Sequence, residues 1–240
     1  AAIDAHKKLG FSAQGMRIVS HDPSDKGKDP KGLCYRHGSV VLDVLEKADG
    51  DVNEGCDWAT DYAHKVGADH FNWDCDGMGV SLRRQVAQAL DGTKTPYSMF
   101  KGSEAPSDAD EPYLPVGLEL DSERSRTNRQ TFRNKRSQYY WKLRDRFFAT
   151  YRAVEKGEYI DPALLISLDS GITDIAGLRS EVCRIPRKMQ GTNGMIQLMT
   201  KQEMWSKHKI PSPNRADSLM MSMIEPNVIE SIDLNFNSEW

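Results

Sequence analysis

The sequence predicts an α/β domain built on a mixed β-sheet. Residues 16–22 (MRIVSHD) form a short apolar run that Pro23 ends, as expected for a strand. Residues 33–47 contain two strand-like runs joined by a tight turn at His37-Gly38, which predicts an antiparallel hairpin. Helical and strand-like segments then alternate over 53–102, which is typical of parallel strands.

Periodicity predicts the remaining elements of the first half. Residues 53–68 are predicted to be helical because Trp58, Tyr62 and Val66 recur every four residues and Gly67 can end the helix. Strands are predicted over 70–74 (HFNWD) and 96–102, with a helix over 80–90 between them. That helix is expected to turn four residues inward: Val80, Leu82, Val86 and Leu90.

The second half is predicted to be mainly helical. A polar, Pro-rich stretch over 103–117 is expected to be irregular, and a long helix is predicted from about 128 to 156. The apolar stripe of that helix is formed by Tyr140, Leu143, Phe147, Tyr151 and Val154. Further segments are a strand over 194–200 and helices over 161–168, 173–185, 201–210 (helix or ordered loop) and 212–224, the last capped by Ser212 or Asn214.

Composition indicates an ordinary globular domain. The 240 residues are 38% hydrophobic and 28% charged, and they contain no apolar run of the length that a membrane span needs. The start lacks the apolar core of a signal peptide, so secretion is not expected. Four cysteines without paired spacing argue against a zinc framework or a disulfide scaffold and fit a reducing compartment.

The charge is distributed unevenly along the chain. Residues 123–152 hold ten Lys and Arg against two Asp and Glu, a net charge of +8 in a chain of net charge −3. The stripe of the long helix continues backwards as Arg136, Arg133 and Arg129, so one face is apolar at one end and basic at the other. This pattern predicts either an anionic partner or a solvated helix face.

Three aspartates occupy positions that favour a metal site. Asp22 and Asp74 end two strands of the first half, and Asp217 lies in the first turn of the last helix. Three clustered carboxylates repel one another unless cations lie between them, and hard oxygen ligands select Mg²⁺ or Mn²⁺. Two such ions would suit in-line cleavage of a phosphodiester. Each aspartate alone is more often a turn or capping residue. Asp76 competes with Asp74 as a ligand, and it is expected either to support a ligand or to bind a second metal ion.

Four motifs carry a resemblance to a known family. They are HDPSDKGKD at 21–29, D-x-x-G-x-G at 74–79, NKRSQYY at 134–140 and SPNRADSL at 212–219. Together they resemble the C-terminal nuclease domain of the terminase large subunit, in the headful-packaging type of short-tailed bacteriophages. The resemblance covers nearly the whole chain in the same order.

The resemblance implies an RNase H-like fold, with a central mixed sheet flanked by helices on both sides. It implies a DNA endonuclease that cuts concatemeric viral DNA with two divalent metal ions held by Asp22, Asp74 and Asp217. Asp25 and Asp29 belong to the first motif but are not expected to bind metal. The chain has no G-x-x-x-x-G-K-[ST] motif, so the ATPase motor of the family is expected to lie outside it. Residues 1–15 are then expected to be a linker remnant, 16–225 the nuclease domain and 226–240 a loosely held tail.

Partners and site cations follow from the same resemblance. Double-stranded DNA is expected to be seated by Arg129, Arg133, Lys135 and Arg136, with Lys201 and Arg215 nearer the acids. The portal protein, the small terminase subunit and the ATPase domain are expected in the full assembly, which forms in the cytoplasm of the host cell. Two alternatives stay open: another RNase H-like nuclease such as a resolvase or transposase, or a docking module for the portal or procapsid.

Overall fold

A six-stranded sheet forms the centre of the molecule. The computed structural model describes residues 1–27, 29–115, 125–189, 193–224 and 226. The strand order is β5-β4-β1-β2-β3-β6, with β1 and β2 antiparallel, β2 and β3 antiparallel, and the other neighbours parallel. The mixed sheet is therefore confirmed. The strands are β1 (Arg17–Asp22), β2 (Lys31–His37), β3 (Val40–Lys47), β4 (His70–Asp74), β5 (Tyr97–Phe100) and β6 (Ser167–Leu168).

Helices cover both faces of this sheet. They are α1 (Ala5–Leu9), α2 (Val52–Val66), α3 (Arg83–Ala89), α4 (Asn128–Thr131), α5 (Lys135–Lys156), α6 (Ile175–Val182), α7 (Lys201–His208) and α8 (Asn214–Met221). Leu33 packs in the core beneath α2 and α3, whereas its neighbour Cys34 packs in the core beneath α5, α6 and α8. Adjacent residues of a strand point to opposite faces, so both faces of β2 are buried. Among the described residues, no helix is long and apolar enough to cross a membrane.

The predicted long helix is broken, which corrects the prediction over 128–156. α4 ends at Thr131, and Phe132 instead pairs with Ile196 in an isolated bridge. α5 then starts anew because the Asn134 side chain accepts the Ser137 N–H as an N-cap. Tyr151, predicted on the apolar stripe, is 42% exposed.

Three other segments also differ from prediction. Residues 77–82 form a 3-10 helix before α3, and Val80 is exposed rather than inward. Residues 161–168 form a 3-10 turn (Pro162–Leu164) followed by β6, which pairs with Val40 and Val41. The predicted strand over 194–200 forms isolated bridges within the described part of the chain. Pro213, rather than Ser212 or Asn214, occupies the N-cap position of α8.

The first fifteen residues are packed on the body of the domain. They contain α1, and the Asp4 N–H donates to the Leu168 carbonyl at 2.9 Å. Their role as a linker stays a prediction. Residues 116 and 117 of the polar stretch, and nearly all of the predicted tail, lie outside the described residues.

Gly32 allows α8 to lie close against the sheet. A Cβ atom at this position would come within 2.4 Å of the Asn214 carbonyl oxygen and of Ser218 Oγ. Because α8 carries Asp217 and β2 pairs with β1, this close approach brings Asp217 towards Asp22 at the end of β1.

Gly32→Ala is expected to push α8 away from β2 and to destabilise the domain by about 1–3 kcal/mol, the usual cost of overpacking. Thermal and urea unfolding measure this. Gly27→Ala, in an exposed loop where a new Cβ would meet only the Asp25 carbonyl at 4.0 Å, is the control. Equal stability of the two variants would contradict the account.

Arg215 links α8 to α6 and β3. Its guanidinium contacts Glu46, lies 2.9 Å from Asp174 and is 3.2 Å from Glu181. Three carboxylates thus share one cation. Burial raises the pKa of Glu181 from 4.5 to about 7, and repulsion from Glu46 adds to this effect. The arrangement indicates a structural role for Arg215, and Glu181 is stabilised in its protonated form.

The raised pKa of Glu181 predicts that the free energy of unfolding decreases between pH 5 and pH 8. Because its folded pKa is raised, its contribution is full below pH 4.5 and is lost as the pH rises through about 7, by up to about 3 kcal/mol. Glu181→Gln keeps an acceptor for the Ala216 N–H but cannot titrate. Thermal melts at both pH values should show a smaller loss in this variant than in the wild type. The exposed Glu155→Gln should keep the wild-type loss, and an equal loss in Glu181→Gln would refute the assignment.

Candidate active site

Three aspartates meet in one cleft at the carboxyl ends of β1 and β4. These strands are parallel neighbours, with His21 opposite Trp73, so Asp22 and Asp74 follow at the same edge of the sheet. Asp217 approaches from the first turn of α8. All three line a cleft of about 470 Å³. The predicted cluster of Asp22, Asp74 and Asp217 is therefore brought together by the fold.

Two cations hold this cluster together. Lys201 Nζ lies 3.0 Å from Asp22 Oδ2 and 3.1 Å from Asp217 Oδ2. The Arg136 guanidinium lies 3.2 Å from Asp217 Oδ1 and also donates to the Met199 carbonyl at 3.0 Å. Asp22 and Asp217 are buried, so each charge would be costly without these partners.

Tyr140 adds a neutral donor beneath Asp217. Its hydroxyl donates to Asp217 Oδ1 at 2.7 Å, and the Arg136 guanidinium lies 5.0 Å from the centre of its ring. Arg136 and Tyr140 are four residues apart on α5, so they lie on the same face. Burial, together with the Asp217 charge, holds the pKa of Tyr140 well above its usual value, so the hydroxyl keeps its proton.

The three carboxyl groups have different pKa values. Burial raises the pKa of Asp22 to about 6, although Lys201 opposes the shift. Burial and the nearby Asp22 charge raise the pKa of Asp74 to about 7. Burial also acts to raise the pKa of Asp217, but Arg136 and Lys201 outweigh it and hold the value below the usual range. Because burial is the main cause of both raised values, a divalent cation at this cluster would favour the ionised forms of Asp22 and Asp74.

The donor set fits a hard divalent cation. All three acids offer carboxylate oxygens, the ligands that Mg²⁺ and Mn²⁺ prefer. Asp217 Oδ2 is buried and finds no hydrogen bond of good geometry among the described residues, although the Lys201 ammonium is close. A carboxylate oxygen left in this way can accept a further cation. The Lys201 side chain is 42% exposed, so it reaches the solvent at the mouth of the cleft.

Asp76 lies in the same cleft but has other partners. One carboxylate oxygen accepts the Ser103 N–H at 2.8 Å and the other accepts the Ser103 hydroxyl at 2.7 Å. Asp74 Oδ1 accepts the Asp76 N–H at 2.8 Å, which leaves its other oxygen available. The geometry favours Asp74 as the closer ligand and gives Asp76 a role in positioning the loop at Ser103.

The cations predicted to seat DNA are placed at different depths. Arg136 and Lys201 lie inside the acidic cluster. Arg129 pairs with Asp110 and Lys135 with Glu104 at the surface. Arg133 lines a separate groove beside the cleft. Arg215 is committed to its three carboxylates, which argues against the predicted contact with DNA.

Sequence reasoning missed some contributors to the cleft. Tyr140 belongs to the predicted apolar stripe and to the motif NKRSQYY, but its contact with Asp217 is not predicted, although its spacing from Arg136 could have indicated a shared face. Asn134 of the same motif, Ser103 and Thr200 also line the cleft, and the loop or capping positions of Ser103 and Thr200 give no signal in the sequence. His21 lies on the opposite face of β1 from Asp22, where its ring contacts Trp58 edge to face.

Another group of possible ligands lies at the edge strand β6. Ligand atoms of Asp4, His6 and Asp169 lie within 4.8 Å of one another. Lys7 Nζ is 2.9 Å from Asp4 and 3.3 Å from Asp169, so this group is already neutralised as an ion-pair cluster.

Solved structures of one phage protein resemble this chain over nearly its whole length. The nuclease domain of the large terminase subunit gp2 of bacterial virus Sf6 is 50% identical over 94% of this chain and 95% of that chain, with a TM-score of 0.87. A mutant of that domain with manganese and beta-thujaplicinol is also 50% identical to this chain, with a TM-score of 0.87. A mutant with calcium gives 0.86 and 49% over the same shares of both chains. No family model and no curated protein matches this chain.

Identity at this level over nearly the whole of both chains is too high for a likeness of fold alone. The acids, the order of the four motifs and the sheet agree with the same assignment, and the resemblance drawn from the sequence is confirmed. The chain belongs to the family of nuclease domains of bacteriophage terminase large subunits.

Proposed function

We propose that this chain is a metal-dependent endonuclease that cuts concatemeric double-stranded DNA during viral genome packaging, with little sequence specificity. The observation that carries the proposal is the convergence of Asp22, Asp74 and Asp217 in one cleft, where Asp22 and Asp217 are buried and two cations already lie against them. The manganese and calcium in the related structures support it.

Asp22, Asp74 and Asp217 are the residues that would hold Mg²⁺ or Mn²⁺. Divalent cations at such acids supply Lewis-acid charge for phosphodiester hydrolysis. In the overall reaction, water adds to phosphorus and the bond from phosphorus to the 3′ oxygen breaks. The products are a 3′-hydroxyl and a 5′-phosphate.

The surrounding residues fix the acids in place. Arg136 and Tyr140 both contact Asp217 Oδ1, so they hold that carboxylate ionised and in one orientation. Lys201 neutralises Asp22 and Asp217 when the cleft lacks other cations. Asp76 holds Ser103, and with it the loop that forms one wall of the cleft.

The wider assembly is part of the same proposal. The related structures are of the nuclease domain of a large terminase subunit. An ATPase domain, the portal protein and the small terminase subunit are the partners we propose for the full protein, acting in the cytoplasm of the host cell. Residues 103–127 and 226–240 are the segments through which docking could be tested.

Asp22→Asn, Asp74→Asn and Asp217→Asn are each expected to reduce plasmid cleavage in Mn²⁺ by at least about 100-fold, because each removes a ligand charge. Gel assays of supercoiled DNA measure this, with EDTA abolishing the wild-type cleavage. Asp25→Asn is the matched control, since Asp25 is an exposed acid of the same first motif. Melting curves without metal must show that all variants fold.

Cleavage that persists in the three cleft variants would contradict the proposal. Loss in Asp25→Asn as well would show that general charge, and not the cleft, controls the reaction.

Lys201→Met is expected to melt lower than the wild type without metal and to gain more stability from Mn²⁺. The ammonium and a divalent cation compete for Asp22 and Asp217, and a ligand that binds the folded state raises its melting temperature. Differential scanning calorimetry with and without Mn²⁺ measures both effects. Lys135→Met, which loses a cation paired with Glu104 at the surface, should keep the wild-type gain. An equal gain in both variants would exclude the competition.

A further inference from the structure

A basic groove lies beside the acidic cleft, and the cleavage site does not account for its cations. The groove has a volume of about 770 Å³. Four cations line it, Arg133, Arg187, Lys188 and Lys207, against a single carboxylate among the described lining residues, Glu203. We call the groove lined by these five residues the basic groove. Such an excess of positive charge indicates an anionic occupant.

The groove adjoins the cleft. Gln197 lines both of them. The Arg133 N–H donates to the Ile196 carbonyl at 3.0 Å, and the Arg136 guanidinium donates to the Met199 carbonyl at 3.0 Å. The segment 196–199 therefore forms a shared wall, with the acids on one side and the basic groove on the other. An extended polyanion that reaches the acids can continue into the groove.

Two of the four cations have donors to spare. The side chains of Arg133 and Arg187 make no hydrogen bond or ion pair with any residue that the structure describes. The Arg187 guanidinium lies 5.5 Å from the ring centre of Trp141. Such a contact orients a guanidinium while its N–H groups remain free for a phosphate.

The other two cations share Glu203. Its carboxylate is 2.9 Å from Lys188 and 3.8 Å from Lys207. The hydrogen bond from Lys188 lowers the pKa of Glu203 to about 2, so this group is charged at any pH of interest. Glu203 therefore repels a phosphate while it holds both ammonium groups in place.

We propose that the basic groove binds the phosphate backbone of the DNA duplex next to the bond that is cut, and that Glu203 limits the affinity. The inference deepens the proposed function and rests on it. Contacts to phosphates position a duplex without reading its sequence, which suits cleavage of low specificity. Arg187, Lys188 and Lys207 extend the DNA-binding set beyond the residues predicted from the sequence.

The first test removes two cations from different walls of the groove. The double variant Arg187→Ala/Lys207→Ala is compared with the double variant Lys65→Ala/Lys94→Ala. The control loses two exposed cations near the amino ends of the parallel strands β4 and β5, whereas the cleft lies at the carboxyl ends. Binding of a fluorescein-labelled duplex is followed by anisotropy in EDTA over a range of salt concentrations. The groove variant should bind at least about tenfold more weakly, and its salt slope should fall by about 1–2, since each phosphate contact contributes about 0.9.

The second test removes the negative charge of the groove instead of its positive charges. Glu203→Gln removes the repulsive charge, yet its amide oxygen can still accept the Thr200 N–H and keep the capping box of α7. We expect binding about threefold tighter and a steeper salt dependence. A variant that gains affinity cannot be explained by partial unfolding.

Failure of this inference differs from failure of the proposed function. If the groove does not bind DNA, groove and control variants will share the wild-type affinity and salt slope, and Glu203→Gln will change nothing, while cleavage still depends on metal. A wild-type chain that binds no duplex at any salt concentration would also overturn the inference. If instead the chain is not a nuclease, cleavage will be absent whatever the groove variants bind.

Discussion

The structure depends on holding three carboxylates together in a partly buried cleft. Two like charges about 4 Å apart repel by about 4 kcal/mol at an effective dielectric constant near 20, so the cluster forms only with compensating cations. Lys201 and Arg136 supply them, and both contact Asp217. The two cations differ in freedom: Arg136 is held between Asp217 and the Met199 carbonyl, whereas Lys201 is more exposed and extends from the short helix α7. We propose that Arg136 fixes the site and that Lys201 is the cation that a divalent ion displaces.

Much of the fold serves this one arrangement. Parallel pairing of β1 with β4 places Asp22 and Asp74 at a shared edge, and the absence of a side chain at Gly32 lets α8 come close enough to add Asp217. Arg215 holds the other side of α8 through carboxylates of β3 and α6. Arg215 thus stabilises the helix that carries Asp217.

The sequence predicted what local pattern controls and missed what depends on tertiary contact. Asp22 and Asp74 were predictable because strand ends can be read from apolar runs and from Pro or Gly. The break between α4 and α5 was not, since Phe132 leaves the helix where it pairs with Ile196, a residue distant in the sequence. Val80 fits the helical period of the sequence but lies in the 3-10 helix over 77–82. Gly79 of that helix lies close against the Asp74 carbonyl, a contact that the sequence does not reveal. The roles of Arg136 and Lys201 inside the cluster, and of the basic groove, required knowing which helices meet.

The central claim is that Asp22, Asp74 and Asp217 form a cation site in which the Lys201 ammonium stands where a divalent ion binds. Anomalous scattering from crystals grown with Mn²⁺ tests this most directly. The account predicts a manganese peak among the three carboxylates, with Lys201 Nζ moved out of contact with Asp22. A peak elsewhere, with Lys201 still about 3.0 Å from Asp22, would contradict it.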